Sequence, residues 1–130
     1  KAVALLKIVA LREKRTAVTG SEEFATLLVE ENYEIVKELI TAIMSVDGWK
    51  TVSHELLIGY LAHFYKEFTT AEISLLDQLR KIRNDIAYRG VMVDQEYMYR
   101  NSAAISKAII KLKNVVNKKI KESDKMLKRG

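Results

Sequence analysis

The chain has 130 residues, 48% of them apolar, with no cysteine, no proline and a net charge of +5. That length fits one domain with a single core, and the missing cysteine excludes disulfides, thiolate nucleophiles and Cys-ligated zinc. Without proline and with only five glycines the chain is short of hairpin turns, so a composition dominated by Lys, Glu, Ile, Leu and Ala predicts helices.

The charge is unevenly placed. Residues 107–130 hold nine Lys or Arg against Glu122 and Asp124, a balance of +7, which leaves −2 over residues 1–106. A basic tract of this kind suits phosphate, yet a lysine-rich helix end is commonly a solvated face that complements the helix dipole, and the solvated face is the expectation here.

The first predicted helix runs from about Ala2 to Thr16. Its apolar run AVALLKIVAL is ten residues broken by Lys7, far below the ~20 that span a bilayer, and no signal-cleavage pattern follows it. No membrane association and a cytoplasmic location are expected. The chain opens on Lys rather than Met, so a few residues are expected in front of it.

In TGSEEF, Thr19 with Glu22 forms a candidate capping box. From there Phe24, Leu27, Leu28, Ile35, Leu39, Ile43 and Val46 recur at helical spacing until Asp47-Gly48 stops the second helix, with Gly48 suited to a left-handed cap. Thr51 or Ser53 can cap a third helix whose apolar stripe is Leu56, Leu57, Tyr60, Leu61 and Phe64.

A second capping box, Thr69 with Glu72, starts the fourth helix, which points Ile73, Leu76, Leu79, Ile82 and Ile86 inward and halts at Gly90. The fifth, from about Gln95 to Leu127, carries Ile105, Ile109, Leu112, Val116 and Ile120 on one side and its lysines on the other. The fold expectation is one all-α domain, a five-helix bundle with short connections and mostly antiparallel neighbours.

The densest chemistry lies in RKIRNDIAYRG, residues 80–90. Arg80, Asn84 and Tyr88 align at i, i+4 and i+8, whereas Arg83 and Tyr88, five apart, stand about 140° from each other around the helix. Asp85 and Arg89 are a helical i, i+4 pair. Spacing alone reads Arg83-Asn84 as a structural polar pair and Tyr88 as a half-buried packing residue with its hydroxyl outward.

The segment LRKIRNDIAY nevertheless resembles the signature of the HEPN domains, small all-helical dimers whose hallmark is Arg, then Asn or another polar residue, then His five to seven positions after the Arg. YEIVKELITAIMSVDGWKTVSHELLIGYL is similar to the second and third helices of archaeal and bacterial members. The resemblance implies a HEPN-like up-and-down bundle, a homodimer, and an RNA-facing cleft that cleaves without metal. In that chemistry a base takes the ribose 2′-hydroxyl proton and an Arg holds the phosphate as charge builds on it.

Arg83 and Asn84 match the pattern; Tyr88 stands where the family has His. A free tyrosine loses its proton near pH ~10 and a histidine near ~6.5, so a phenol in that place donates a hydrogen bond but is a poor base near neutrality. In the members neutralised by a partner nucleotidyltransferase a Tyr follows two positions after the His, and Gly90 stands there. His54 and His63, nine apart on the third helix, face opposite ways; His54, at the first turn beside Glu55, reads as structural more readily than as the missing base. Two histidines and no visible carboxylate cluster predict neither metal nor cofactor.

Two functions follow as expectations. One is an RNA- or nucleotide-phosphate-binding domain using Arg83, Asn84, Tyr88 and His54, with cleavage reduced or lost. The other is a catalytically silent module for dimerisation or for a minimal nucleotidyltransferase partner, as in a toxin–antitoxin pair.

Overall fold

The computed structural model describes residues 2–19, 25–49 and 53–129; the side chains of residues 14–19, 54 and 129 are not among those described. Five α-helices follow one another: α1 Ala2–Thr19, α2 Ala25–Val46, α3 Leu57–Phe64, α4 Thr70–Arg89 and α5 Gln95–Arg129, with a 3₁₀ turn, His54–Leu56, leading into α3. Among the described residues there is no strand, and no helix is long and apolar enough to cross a membrane. The all-α bundle is as the sequence predicts.

α2 is the axis of the fold and packs against all four other helices. That requires an apolar surface wider than one stripe, and Leu28, Val29, Tyr33, Ile35, Val36, Leu39, Ile40, Ile43 and Met44 are all buried. The helix closes in a Schellman motif: Trp49 N–H donates to Met44 O at 2.9 Å and Gly48 N–H to Ser45 O at 3.1 Å, with Gly48 at φ 98°. Only glycine enters that backbone region without a Cβ penalty.

The chain returns so that α5 lies parallel to α2. Val93 N–H donates to Thr26 Oγ1 at 2.8 Å at one end, and Lys119 reaches Asp47 at the other. α4 runs antiparallel to α5, with Lys111 beside Glu72 and Tyr97 beside Gln78. Mostly antiparallel packing was the expectation; α2 with α5 departs from it because α5 reverses direction after α4 and packs chiefly on α2. α1 is pinned to α2 through Arg12, whose Nε donates to Glu38 at 2.8 Å and whose guanidinium lies 3.5 Å from buried Glu31.

α1 continues to Thr19, past the expected end at Thr16, so Thr19 closes the first helix rather than opening the second. The rest of the Thr19–Glu22 box, and Thr51, fall outside the described residues. Ser53 stands at the N-cap of the 3₁₀ turn without a side-chain cap bond.

The α3 stripe is corrected. Leu57, Ile58 and Leu61 are buried, while Leu56 and Phe64 are 63% and 58% exposed. Leu56 belongs to the 3₁₀ turn, at about three residues per turn rather than 3.6, so counting from it at α-helical pitch sets the wrong phase.

Candidate functional site

α4 places the residues of the Arg83 segment, and its two ends are fixed locally. Thr69 Oγ1 accepts from Glu72 N–H at 3.1 Å while Glu72 Oε1 accepts from Thr69 N–H at 2.8 Å, the capping box expected from the sequence. At the other end Gly90 sits at φ 66°, ψ 24°, its N–H donating to Ile86 O at 3.2 Å. Between these ends Leu76 and Leu79 are buried and Ile73, Ile82 and Ile86 half-buried against the core. That sets the rotation of the helix and turns its polar side toward α2.

A groove of about 480 Å³ opens there, lined by Tyr33, Glu34 and Lys37 of α2, Ser53 before and Glu55 within the 3₁₀ turn, and Arg80, Arg83, Asn84 and Tyr88 of α4. Three of the four site residues read from the sequence thus share one wall. His54 lies between two of the lining residues, but its side chain is not among those described.

The charges are graded. Arg80 Nε is spent on Asp77 at 2.9 Å, and Lys81 shares that carboxylate at 3.3 Å. Burial works against the Asp77 charge, yet these bonds outweigh it and hold the carboxyl below its usual range. Lys37 Nζ is 2.7 Å from Glu34. Arg83 is different: its Nη2 stands 3.8 Å from Glu34, beyond hydrogen-bond reach, with 35% of the side chain open to solvent. Asn84 makes no side-chain hydrogen bond among the described residues. Buried Tyr33 closes the floor; desolvation pushes its hydroxyl up, against the pull of Arg80 and Arg83.

Tyr88 is 84% exposed. The half-buried packing role is therefore corrected: α4 ends one residue later, so nothing covers the ring. Asp85 and Arg89 do approach, at 3.8 Å on the open surface, a contact of little energy.

Compared with protein-family models, curated proteins and solved structures, the chain matches none. The groove therefore stands on its own chemistry: a planar cation with spare donors, an amide and an open aromatic ring. Among the described residues no group of His, Asp and Glu is placed to hold a metal ion.

One cluster escaped the sequence reading. Asp47 accepts hydrogen bonds from Tyr60, from Tyr65 at 2.6 Å and from Lys119 at 2.7 Å, with Trp49 edge-on to Tyr60 at 6.2 Å. Burial opposes the Asp47 charge but its three donors hold the carboxyl below the usual range, while the Asp47 and Tyr65 hydrogen bonds push Lys119 up. An acid at a helix C-terminus faces the negative end of the dipole, and that misfit was the available signal that a distant cation meets it.

Proposed function

We propose that the groove between α2 and α4 binds RNA or a nucleotide through its phosphate, with Arg83 as the anion fork and Tyr88 as a stacking surface. The observation that carries this reading is the state of Arg83: half-exposed, its Nη2 3.8 Å from Glu34, and on the same groove wall as an uncovered tyrosine. A guanidinium presents planar paired donors that match phosphate oxygens, and an open aromatic ring stacks on any base. Asn84 supplies an amide within the same groove. The HEPN resemblance of LRKIRNDIAY supports the same substrate class, and Tyr in place of the motif His supports binding over cleavage.

The test is metal-free incubation of labelled single-stranded RNA with wild type, Arg83→Ala and Arg83→Lys. Binding that falls with Ala and is only partly kept by Lys supports the fork; identical binding by all three overturns it.

A second reading, the silent interaction module, is favoured by one observation. Just past the groove residue Tyr88 in the chain, Val91 and the 78%-exposed Met92 are also uncovered apolar side chains, Met92 Sδ lying 3.9 Å from Thr26 Oγ1. Exposed apolar groups gathered in this way mark protein contacts, either a homodimer or a partner such as a nucleotidyltransferase. Light scattering distinguishes them: a dimer has twice the 14.9 kDa of one chain, and a particle of single-chain mass at micromolar concentration excludes the homodimer.

A further inference from the structure

The six lysines between residues 111 and 125 divide into two sets of three. Lys111 pairs with Glu72 at 2.8 Å, reaches Glu67 O and lies 5.0 Å from the Phe68 ring. Lys113 pairs with Glu13, and Lys119 with Asp47. These three hold α5 to α4, α1 and α2 and are not free for a partner. Lys118, Lys121 and Lys125 are exposed, and among the described residues none has a carboxylate at ion-pair distance.

The free set is ordered. Lys118, Lys121 and Lys125 share one surface depression of about 470 Å³ with Asn114, Asn117 and Glu122. At i, i+3 and i+7 they fall within a ~60° sector of the helix, with steps of about 4.5 and 6 Å along its axis. Exposed Lys128 continues the row. The buried stripe of Ile105, Ile109, Leu112 and Val116 lies on the opposite side, so the row faces outward.

We infer that this row is a backbone-binding tract for single-stranded RNA, separate from the Arg83 groove and built from Lys118, Lys121 and Lys125 with Asn114 and Asn117 beside them. Like charges at i, i+3 and i+4 repel along a helix; Glu122 in the same depression offsets part of that repulsion, and three lysines against one carboxylate leave an excess of positive charge on an exposed surface. A polyanion laid along the row supplies the remaining counter-charge. The shape is a line, which suits one phosphodiester strand. A membrane-surface helix would need an apolar face running beside its lysines; α5 turns its apolar side into the bundle through Ile120, and the exposed Met126 and Leu127 beyond it fall on that same side of the helix, away from the row. The amides of Asn114 and Asn117 offer both donors and acceptors to sugar hydroxyls and phosphates.

The experiment follows anisotropy of a fluorescein-labelled single-stranded RNA across a salt series. It compares wild type, the triple variant Lys118→Glu, Lys121→Glu and Lys125→Glu, and Arg83→Ala, with circular dichroism confirming an unchanged fold for each. The triple variant should bind at least tenfold more weakly at low salt, and its log–log salt slope should flatten by about 2, the share of three phosphate contacts on a single strand. Loss in the triple variant with Arg83→Ala unaffected keeps the tract and removes the groove reading. Loss only in Arg83→Ala overturns the tract and keeps the groove. Polyglutamate displacing the RNA as well as unlabelled RNA does shows a general anion surface and overturns the assignment, as does a wild-type chain that leaves RNA unbound at low salt.

Discussion

Lys119 Nζ lies 2.7 Å from the Asp47 carboxylate although 72 positions separate the two residues. Tyr60 and Tyr65 donate to the same carboxylate, and the Lys119 ammonium stands 5.3 Å from the Tyr65 ring. One acid at the end of α2 thus gathers α3, the residue after it and the far part of α5. Lys119→Met removes a cationic donor and leaves a mostly buried acid short of a partner. The expected cost is about 1–3 kcal/mol, seen as a lower urea midpoint with unchanged slope. Lys118→Met, one residue away on the open face, should stay within about 0.5 kcal/mol of wild type.

The same cluster sets a pH window. Asp47 has a folded pKa below its ordinary 3.8, so its contribution is complete above that value and is lost as pH falls through the folded one. Lys119 is raised above 10.5 and Tyr65 above 10.0; their contributions are complete below those values and fade as pH rises through the folded ones. Wild type should therefore lose stability at both extremes. Asp47→Asn, less stable at pH 7, should converge toward wild type below pH ~4, which urea midpoints across the pH range would show.

The local signals were legible and the long-range ones were not. Thr69, Glu72 and Gly90 disclosed both ends of α4 because capping chemistry sits within a few residues of sequence. The α5 stripe was equally plain, being many turns long. α3 has eight residues, too few for periodicity to fix its phase once a 3₁₀ turn precedes it. Lys113 with Glu13 and Lys119 with Asp47 are chosen by tertiary packing, so a sequence that shows a row of lysines cannot show which are spent. The α4 wall of the groove could be read from Arg80, Arg83, Asn84 and Tyr88. The α2 wall, Tyr33, Glu34 and Lys37, could not, since it depends on how α2 and α4 meet.

Two glycines should respond with opposite signs. Gly90 holds φ 66° with open space where a Cβ would stand, so Gly90→Ala meets no clash and the backbone alone resists, at about 1–2 kcal/mol. Gly59 lies inside α3 at ordinary helical angles, also with nothing within 4 Å of a Cβ. Gly59→Ala should stabilise by about 0.5–1 kcal/mol, by helix propensity. Equal effects of the two in thermal or urea unfolding would contradict the cap geometry.

Position 88 tests whether the groove is a binding site or a weakened catalytic one. Tyr88 ends α4 with an open ring, on the wall that also carries Arg83 and Asn84. Tyr88→Phe keeps the stacking face and removes the hydroxyl, so RNA binding should be largely retained. Tyr88→Ala removes the face as well, and should weaken binding by the about 1–3 kcal/mol that one stacked base contributes. Tyr88→His installs a group that titrates near neutrality within the segment that holds Arg83. Metal-free cleavage of labelled single-stranded RNA should then appear or rise, and Arg83→Ala in the same background should abolish it. Cleavage by wild type that disappears in His54→Ala would place the base on the 3₁₀ turn instead, between the lining residues Ser53 and Glu55. Binding unchanged in Tyr88→Ala, with no cleavage gained in Tyr88→His, would leave the uncovered ring to the protein-contact reading of the Tyr88, Val91 and Met92 surface.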